Sequence, residues 1–419
     1  MGLKTRRSKG IEETVQSLVA DLPRKLLAKR IAENAEKQGY EVGPWTETLA
    51  TRLFDSDWDI SKIDHSDLPD IEVSLGKDDL KRILEEAEEF IANEVPKIVS
   101  DLIEKASETL ERSLFRRWPQ EAAYQRSERF AFQQNLEVRW GKMFDAYRIL
   151  LTSCREIGHA EQARLARSRA KKDRLKRAAL LGCHARSMRV AHEVLVLAES
   201  GFADGALARW RTLYETTITM MVLERCGEEI SERYFASYEV VKLDELKNEL
   251  RLSSTQSNEL QEALKQQTEI VDELKSVYGE AIAARKGYGW SAPIFSNNND
   301  PTFRDLERFL GAEDLPQTYK VSSYRIHANS AGLLDNLADL VGEGLFLAGS
   351  TNAGLDAGCE LAAHSAALCT SLLPIGHDSI EAAIQIKVIE ALRWRVSKEA
   401  KKAAKKLFRD HERAFFTGK

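Results

Sequence analysis

Three observations predict an all-α fold for this chain of 419 residues. Prolines number only 9. Ala, Leu, Glu, Lys and Arg, which lose least on entering a helix, are abundant throughout. No run shows the apolar/polar alternation of β-branched residues that marks a strand. The expected architecture is a helical-bundle core with an N-terminal helical extension.

Each element follows from its own pattern. From Ile11 to about Phe54, Leu18, Leu22, Leu26 and Leu27 recur at spacings near four, and Pro23 is placed where one helix ends and another begins. Asp59 to Gly76, with Pro69 and its Asp and Ser residues, reads as loop. Lys77 to Trp118 is a long helical segment that Pro96 is expected to kink or split. It is acidic, with eleven acids and four bases between Asp78 and Glu111. Arg116-Arg117-Trp118-Pro119 is the expected boundary, giving an extension over 1–118 and a bundle domain over 119–419. Phe130 to about Ile157 reads as one helix, with Trp140, Phe144, Tyr147 and Leu151 on one side. A helical stretch from Ala160 is ended by Gly201, and another runs from Asp204 to about Arg225. Residues 228–285 read as a projecting helical hairpin. Lys286 to Pro301 is irregular, and helices resume at Thr302, Lys320, Gly354 and Ser379.

Apolar residues at 43 % and charged residues at 30 % exclude wholesale disorder. Lys and Arg number 61 against 66 Asp and Glu, a net charge of −5, which excludes a globally basic nucleic-acid coat protein. No window approaches the roughly 20 apolar residues of a membrane span. The start of the chain has no apolar stretch of the signal-peptide kind. The five cysteines are scattered and form no C-x-x-C pair. A cytoplasmic location with reduced thiols is expected.

Three polar constellations stand out. Gly354 to Leu373 is apolar nearly all round, and Asp356, Glu360 and His364 stack on one face at i, i+4 and i+8. They form either a binding seam in the core or a face turned partly to solvent. Arg211 and Glu215 are i, i+4 neighbours on an otherwise apolar helix, so they are either an intrahelical ion pair or a buried pair holding a site. Ser323, Tyr324, His327 and Ser330 place hydroxyls around an imidazole, which suits acid–base work or phosphate binding but equally a packed histidine.

The run Ala208-Arg209-Trp210-Arg211-Thr212-Leu213-Tyr214-Glu215 follows the Gly201 turn and precedes the Tyr234–Tyr238 helix. In this it resembles the bacterial domain-of-unknown-function 5677 family. The later Tyr324-x-x-His327-x-x-Ser330 element, after a loop containing Trp290, is similar to that family's second block. The resemblance covers roughly residues 178–340. It implies an all-helical cytosolic protein of unestablished activity and carries Arg211, Glu215, Tyr238 and His327 as shared polar residues.

A helical ribonuclease of toxin or phage-defence systems is a second reading. Arg186 and His192 match the Arg-x(4–6)-His spacing through which such proteins resemble one another. Arginine would steady phosphate charge and histidine move protons, although the two lie about 120° apart around a continuous helix. His327 is the other catalytic candidate. Glu156-x-x-His159 is a single copy of a unit that di-iron bundles use twice, and reads as a helix end. No metal or cofactor is expected.

Eight bases and one acid between Arg164 and Arg177 offer a nucleic-acid contact, or merely a solvated helix face. The expectation is a binding or sensing module with a polar pocket between core helices, formed by Arg211, Glu215, Tyr238, His327, Asp356, Glu360 and His364. Its partner would be a small molecule or a protein, with no membrane. A nuclease or an interaction scaffold is the alternative, and self-association stays open.

Overall fold

The computed structural model describes residues 6–417 except 57, 65, 71, 73, 170, 253–256, 313–318, 320–321, 323–329, 331–348 and 374–378. The described residues form eleven α-helices and no strand. The all-α reading holds. The chain divides into two compact units, Met1–Arg126 and Ser127–Lys419.

In the first unit α1 (Arg6–Lys37), α2 (Trp45–Asp55) and α3 (Lys77–Asn93) enclose a small core of Leu27, Ile31, Ala50, Leu53, Ile63 and Ile83. Arg30 ties α1 to α3 through Glu86. Arg52 forks onto both oxygens of Asp67 at 2.6 and 2.8 Å. Pro23 does not end a helix as expected but lies inside α1. Pro96 behaves differently. The segment breaks at Glu94, and Pro96 becomes the second residue of α4 (Val95–Arg167), where its missing N–H has no intrahelical partner to lose. Helix α4 passes through Pro119 and carries its first buried residue at Leu136.

Among the described residues, the second unit is built from the rest of α4 and seven further helices. These are α5 (Arg174–Glu199), α6 (Ala203–Cys226), α7 (Glu228–Leu252), α8 (Asn258–Tyr278), α9 (Phe303–Leu310) and α10 (Leu355–Ser371), followed by α11 (Ile380–Thr417). Gly201, with φ +80°, makes the tight α5–α6 turn, and its carbonyl accepts the Thr351 amide at 2.8 Å.

Helix α10 is the apolar segment predicted to be buried, and it packs against α5, α6 and α11. Small residues let it come close: a Cβ added to Gly358 would sit 3.1 Å from the Ala206 methyl of α6. Around it lie Trp140, Phe144, Tyr147, Leu150 and Leu151 of α4 and Trp210 and Leu213 of α6. Their polar atoms are matched across helices. Tyr147 donates to the Ala191 carbonyl at 3.0 Å, Trp210 to Ser365 at 3.2 Å and Trp140 to the Asn352 carbonyl at 3.0 Å. Burial pushes up the pKa of the Cys154, Cys183, Cys359 and Cys369 thiols, so these cysteines act as small core residues.

Helices α7 and α8 pack against each other. Gln267 donates to the Glu239 carbonyl at 2.9 Å and Tyr278 to Glu232 at 2.8 Å, so numbers rise on α8 as they fall on α7, the mark of an antiparallel pair. Helix α8 stops at Tyr278 rather than Arg285, because Gly279 turns the chain at φ +84°. The segment read as irregular contains a 3₁₀ turn over Gly289–Ile294. Buried Arg233 on α7 holds it, donating to the Trp290 carbonyl at 3.2 Å and the Tyr278 carbonyl at 3.0 Å. A Cβ at Gly289 would overlap the Ala281 carbonyl oxygen and lie 2.8 Å from that of Ile282. We therefore expect Gly289→Ala to cost about 2 kcal/mol or more in urea unfolding, since backbone must shift to admit the methyl group. An unchanged midpoint would show that this turn is not clamped.

Candidate functional site

The Arg211–Glu215 pair of α6 is real and part-buried. Arg211 Nε lies 3.1 Å from Glu215 Oε1, without the alignment of a hydrogen bond. Tyr319 completes the group. Its hydroxyl donates to Glu215 at 2.5 Å, and the Arg211 guanidinium stands 4.8 Å from its ring centroid. Tyr319 also meets Phe303 and Tyr214, at centroid distances of 5.4 and 5.3 Å. Tyr214 in turn donates at 2.9 Å to Glu307, a buried carboxylate on α9. Burial raises the Glu307 pKa, against the Tyr214 hydrogen bond that lowers it. Burial also lifts the Tyr288 hydroxyl to about 12, with Glu215 adding to the rise. Cation, carboxylates, hydroxyls and rings engage one another here, while the buried Arg211 Nε makes no hydrogen bond to a described residue. The network ties α9 and Tyr319 to α6.

Other predicted residues have different surroundings. Tyr238 is exposed on α7, with Lys242 Nζ 4.7 Å from its ring centroid. His327, with Ser323 and Tyr324, lies outside the described residues. Asp356, Glu360 and His364 do stack along α10. Glu360 accepts from Ser397 of α11, with Lys401 Nζ at 4.0 Å. Arg393 reaches His364 Nδ1 at 3.1 Å. Guanidinium can only donate, so that imidazole is neutral with its proton on Nε2. Burial lowers its pKa, and Arg393 adds to the effect. Burial raises the Asp356 carboxyl, opposed by the backbone amides of the first turn. Glu360 and His364 join α10 to α11, while Arg211 and Glu215 meet Tyr319.

A different set of side chains surrounds open space. Helices α4 and α5 leave a groove of about 620 Å³ between them. Arg155, Gly158, His159, Gln162 and Leu165 line it from α4, all within one helical face. Across it stand Ala178, Leu181, Gly182, Ala185, Met188, Arg189 and His192 of α5. The candidate His192 is therefore at this groove. Exposed Arg186 is absent from its lining, and Arg189, three residues before His192, stands there instead. Glu156-x-x-His159 is not a helix end, because α4 runs on to Arg167, and His159 is part of the rim.

The floor is held by His184. Its Nε2 is 3.1 Å from Thr370 Oγ1, whose own proton goes to the Ala366 carbonyl at 2.9 Å. The imidazole therefore donates from Nε2 and keeps Nδ1 as an acceptor. Its ring fills the space that Gly158 leaves, since a Cβ there would lie 2.5 Å from Cε1 and 2.6 Å from Nδ1. Burial, helped by His159, lowers the His184 pKa from 6.5 to about 4. Glu193, the carboxylate among the lining residues, is engaged by Arg209. Arg155 has only Thr152 Oγ1 at 3.3 Å, and no described carboxylate pairs with Arg155 or Arg189.

The basic run Arg164–Arg177 joins α4 to α5 beside this groove. Arg164 pairs with Glu161, and Lys176 Nζ is 3.6 Å from Glu224. Glu228 accepts the Leu175 and Lys176 amides at 3.0 and 2.8 Å, capping the start of α5. Arg169, Lys171, Lys172 and Arg174 are exposed.

Residues 177–343 match the model of a family described as "Family of unknown function (DUF5677)", from α5 through α9 and beyond. The resemblance carried by the Arg209–Glu215 run is thus found over nearly the range expected. No curated protein and no solved structure matches the chain.

Two outcomes check the groove floor. Gly158→Ala is expected to destabilise the protein by about 1–3 kcal/mol by displacing the imidazole, and adding His184→Ala should recover part of the loss. If the two losses simply add, the packing is otherwise. The second outcome concerns pH. The folded pKa of His184 lies below the unfolded one, so the unfolded chain takes up this proton first. Its contribution is complete above about pH 6.5 and declines as pH falls toward 4, by about 3 kcal/mol. Denaturant unfolding of His184→Gln at pH 4.5, 5.5 and 7 should show that slope reduced; an unaltered slope would place the acid sensitivity elsewhere.

Proposed function

We propose that the unit spanning 127–419 is a ligand-binding module whose site is the groove between α4 and α5. The observation supporting this is the pairing of open volume with unneutralised cations: about 620 Å³ rimmed by Arg155 and Arg189. That volume lies within the range of small-molecule pockets. Apolar Leu165, Leu181 and Met188 stand there beside seven polar or charged side chains, a lining that can both cover and orient a ligand. The Arg211 network, whose groups answer one another, supports the scaffold that carries the groove.

Gly182 provides a direct test. It lines the groove, and a Cβ added there meets nothing within 4 Å. Gly182→Phe should therefore fill the groove without strain, and the exchange gains about 0.5 kcal/mol in helix propensity. In a thermal-shift screen of a chemically mixed small-molecule library, ligands should raise the melting temperature of the parent and not of Gly182→Phe. At a hundredfold excess over Kd the expected stabilisation is about 2.7 kcal/mol. Compounds that stabilise both proteins equally would place binding elsewhere.

A nuclease-like activity is the second reading, favoured by His159 and His192 at the rim on opposite helices, each with an arginine on its own helix face. It replaces Arg186 by Arg189 as the phosphate-steadying group. Purified protein should then cleave RNA, with His192→Ala losing at least tenfold in rate while its circular dichroism is unchanged. An equal rate in the variant would remove histidine chemistry at this groove.

A further inference from the structure

Resting on the reading of the α4–α5 groove as a binding site, the geometry points to its ligand class: we propose a nucleoside monophosphate, with its phosphate at the Arg155/Arg189 rim and its base on the apolar floor.

Three features of the groove converge on this. The rim is a place for an anion. Arg155 and Arg189 have no described carboxylate partner, and Glu193 is already engaged by Arg209. Guanidinium presents a planar fork of donors that suits phosphate oxygens and needs no deprotonated partner. His159 and His192 add further nitrogen donors or acceptors at the same rim.

The floor is a place for a flat apolar body. Leu165, Ala178, Leu181, Ala185 and Met188 supply its apolar surface, and Gly182 keeps it clear of bulk. A bare inorganic phosphate would leave this surface wet, whereas a ring system covers it. The Met188 thioether is suited to a ring edge.

The lining also holds one amide: the exposed Gln162 side chain offers both a donor and an acceptor. Nucleobases combine a flat face with polar edges that match it, and the attached phosphate supplies the charge. A fatty acid lacks the polar edge, and an unsubstituted sugar phosphate lacks the face.

Isothermal titration of the full chain with AMP, GMP, CMP and UMP, beside adenosine and inorganic phosphate, tests the assignment. At least one nucleotide should bind tenfold more tightly than adenosine or phosphate. Arg189→Gln should weaken that nucleotide at least tenfold and leave adenosine binding unchanged, and Gly182→Phe should abolish both. Nucleotides that bind no better than adenosine, or not at all, would overturn the ligand class. If compounds sensitive to Gly182→Phe emerge from the mixed library but none is a nucleotide, the groove stands and this assignment falls. If nucleotides bind equally well to Gly182→Phe, both the assignment and the groove reading fall.

Discussion

Close approach at α10 is the constraint on which the second unit depends. The helix is lined with Gly, Ala, Ser and Cys, so neighbouring helices reach its backbone rather than its side chains. Gly358 against Ala206 is the tightest example. A larger residue there would push α6 away and with it the Trp210–Ser365 hydrogen bond. Dense packing of this kind transmits displacement, because few voids exist to absorb it. Large rings from α4 and α6 then fill the space around the slender centre. Polar atoms accompany them inward because each finds a partner, Trp140 in the loop before α10 and Tyr147 and Trp210 on another helix, and an unpaired one would cost about 1–3 kcal/mol.

Glycine has the opposite effect between α4 and α5. Gly158 admits the His184 ring, which stops at the Thr370 hydroxyl of α10. Gly182 leaves open space above it. The groove is therefore a consequence of where side chains are missing. Its floor is anchored to the same central helix that organises the core, so its shape is as rigid as that packing. The arginines at its rim differ from the charges that are answered by a neighbour three or four residues away, as Lys97 is by Glu94 and Arg112 by Glu108.

The contrast with the Arg211 network is one of saturation. Arg211 has a carboxylate and an aromatic face, Glu215 has a cation and a hydroxyl, and Glu307 has the Tyr214 hydroxyl. Such a set fixes the register of α9 and Tyr319 on α6, with the buried Arg211 Nε the one atom named here that makes no hydrogen bond. The Asp356–Glu360–His364 row is similar, with Ser397, Lys401 and Arg393 answering Glu360 and His364 from α11. A polar row on a buried helix is thus a mortise between helices here, and the unanswered groups lie elsewhere.

The sequence by itself determined the helical class, the burial of 354–373 and the Arg211–Glu215 pair. Those are local matters, set by periodicity, glycine and i, i+4 spacing. It also held a weaker signal that was passed over: Arg155 and His159 four apart, and Arg189 and His192 three apart, each set near a glycine. Tertiary structure alone decided that these two faces oppose each other across open space, that Glu307 is buried under Tyr214, and that His184 rather than His192 forms the floor. It also decided that Arg189 and not Arg186 accompanies His192. The physical reason is that satisfaction and accessibility belong to contacts between residues distant in the chain. Spacing along one helix establishes which side chains share a face, and the neighbouring helices determine what that face meets.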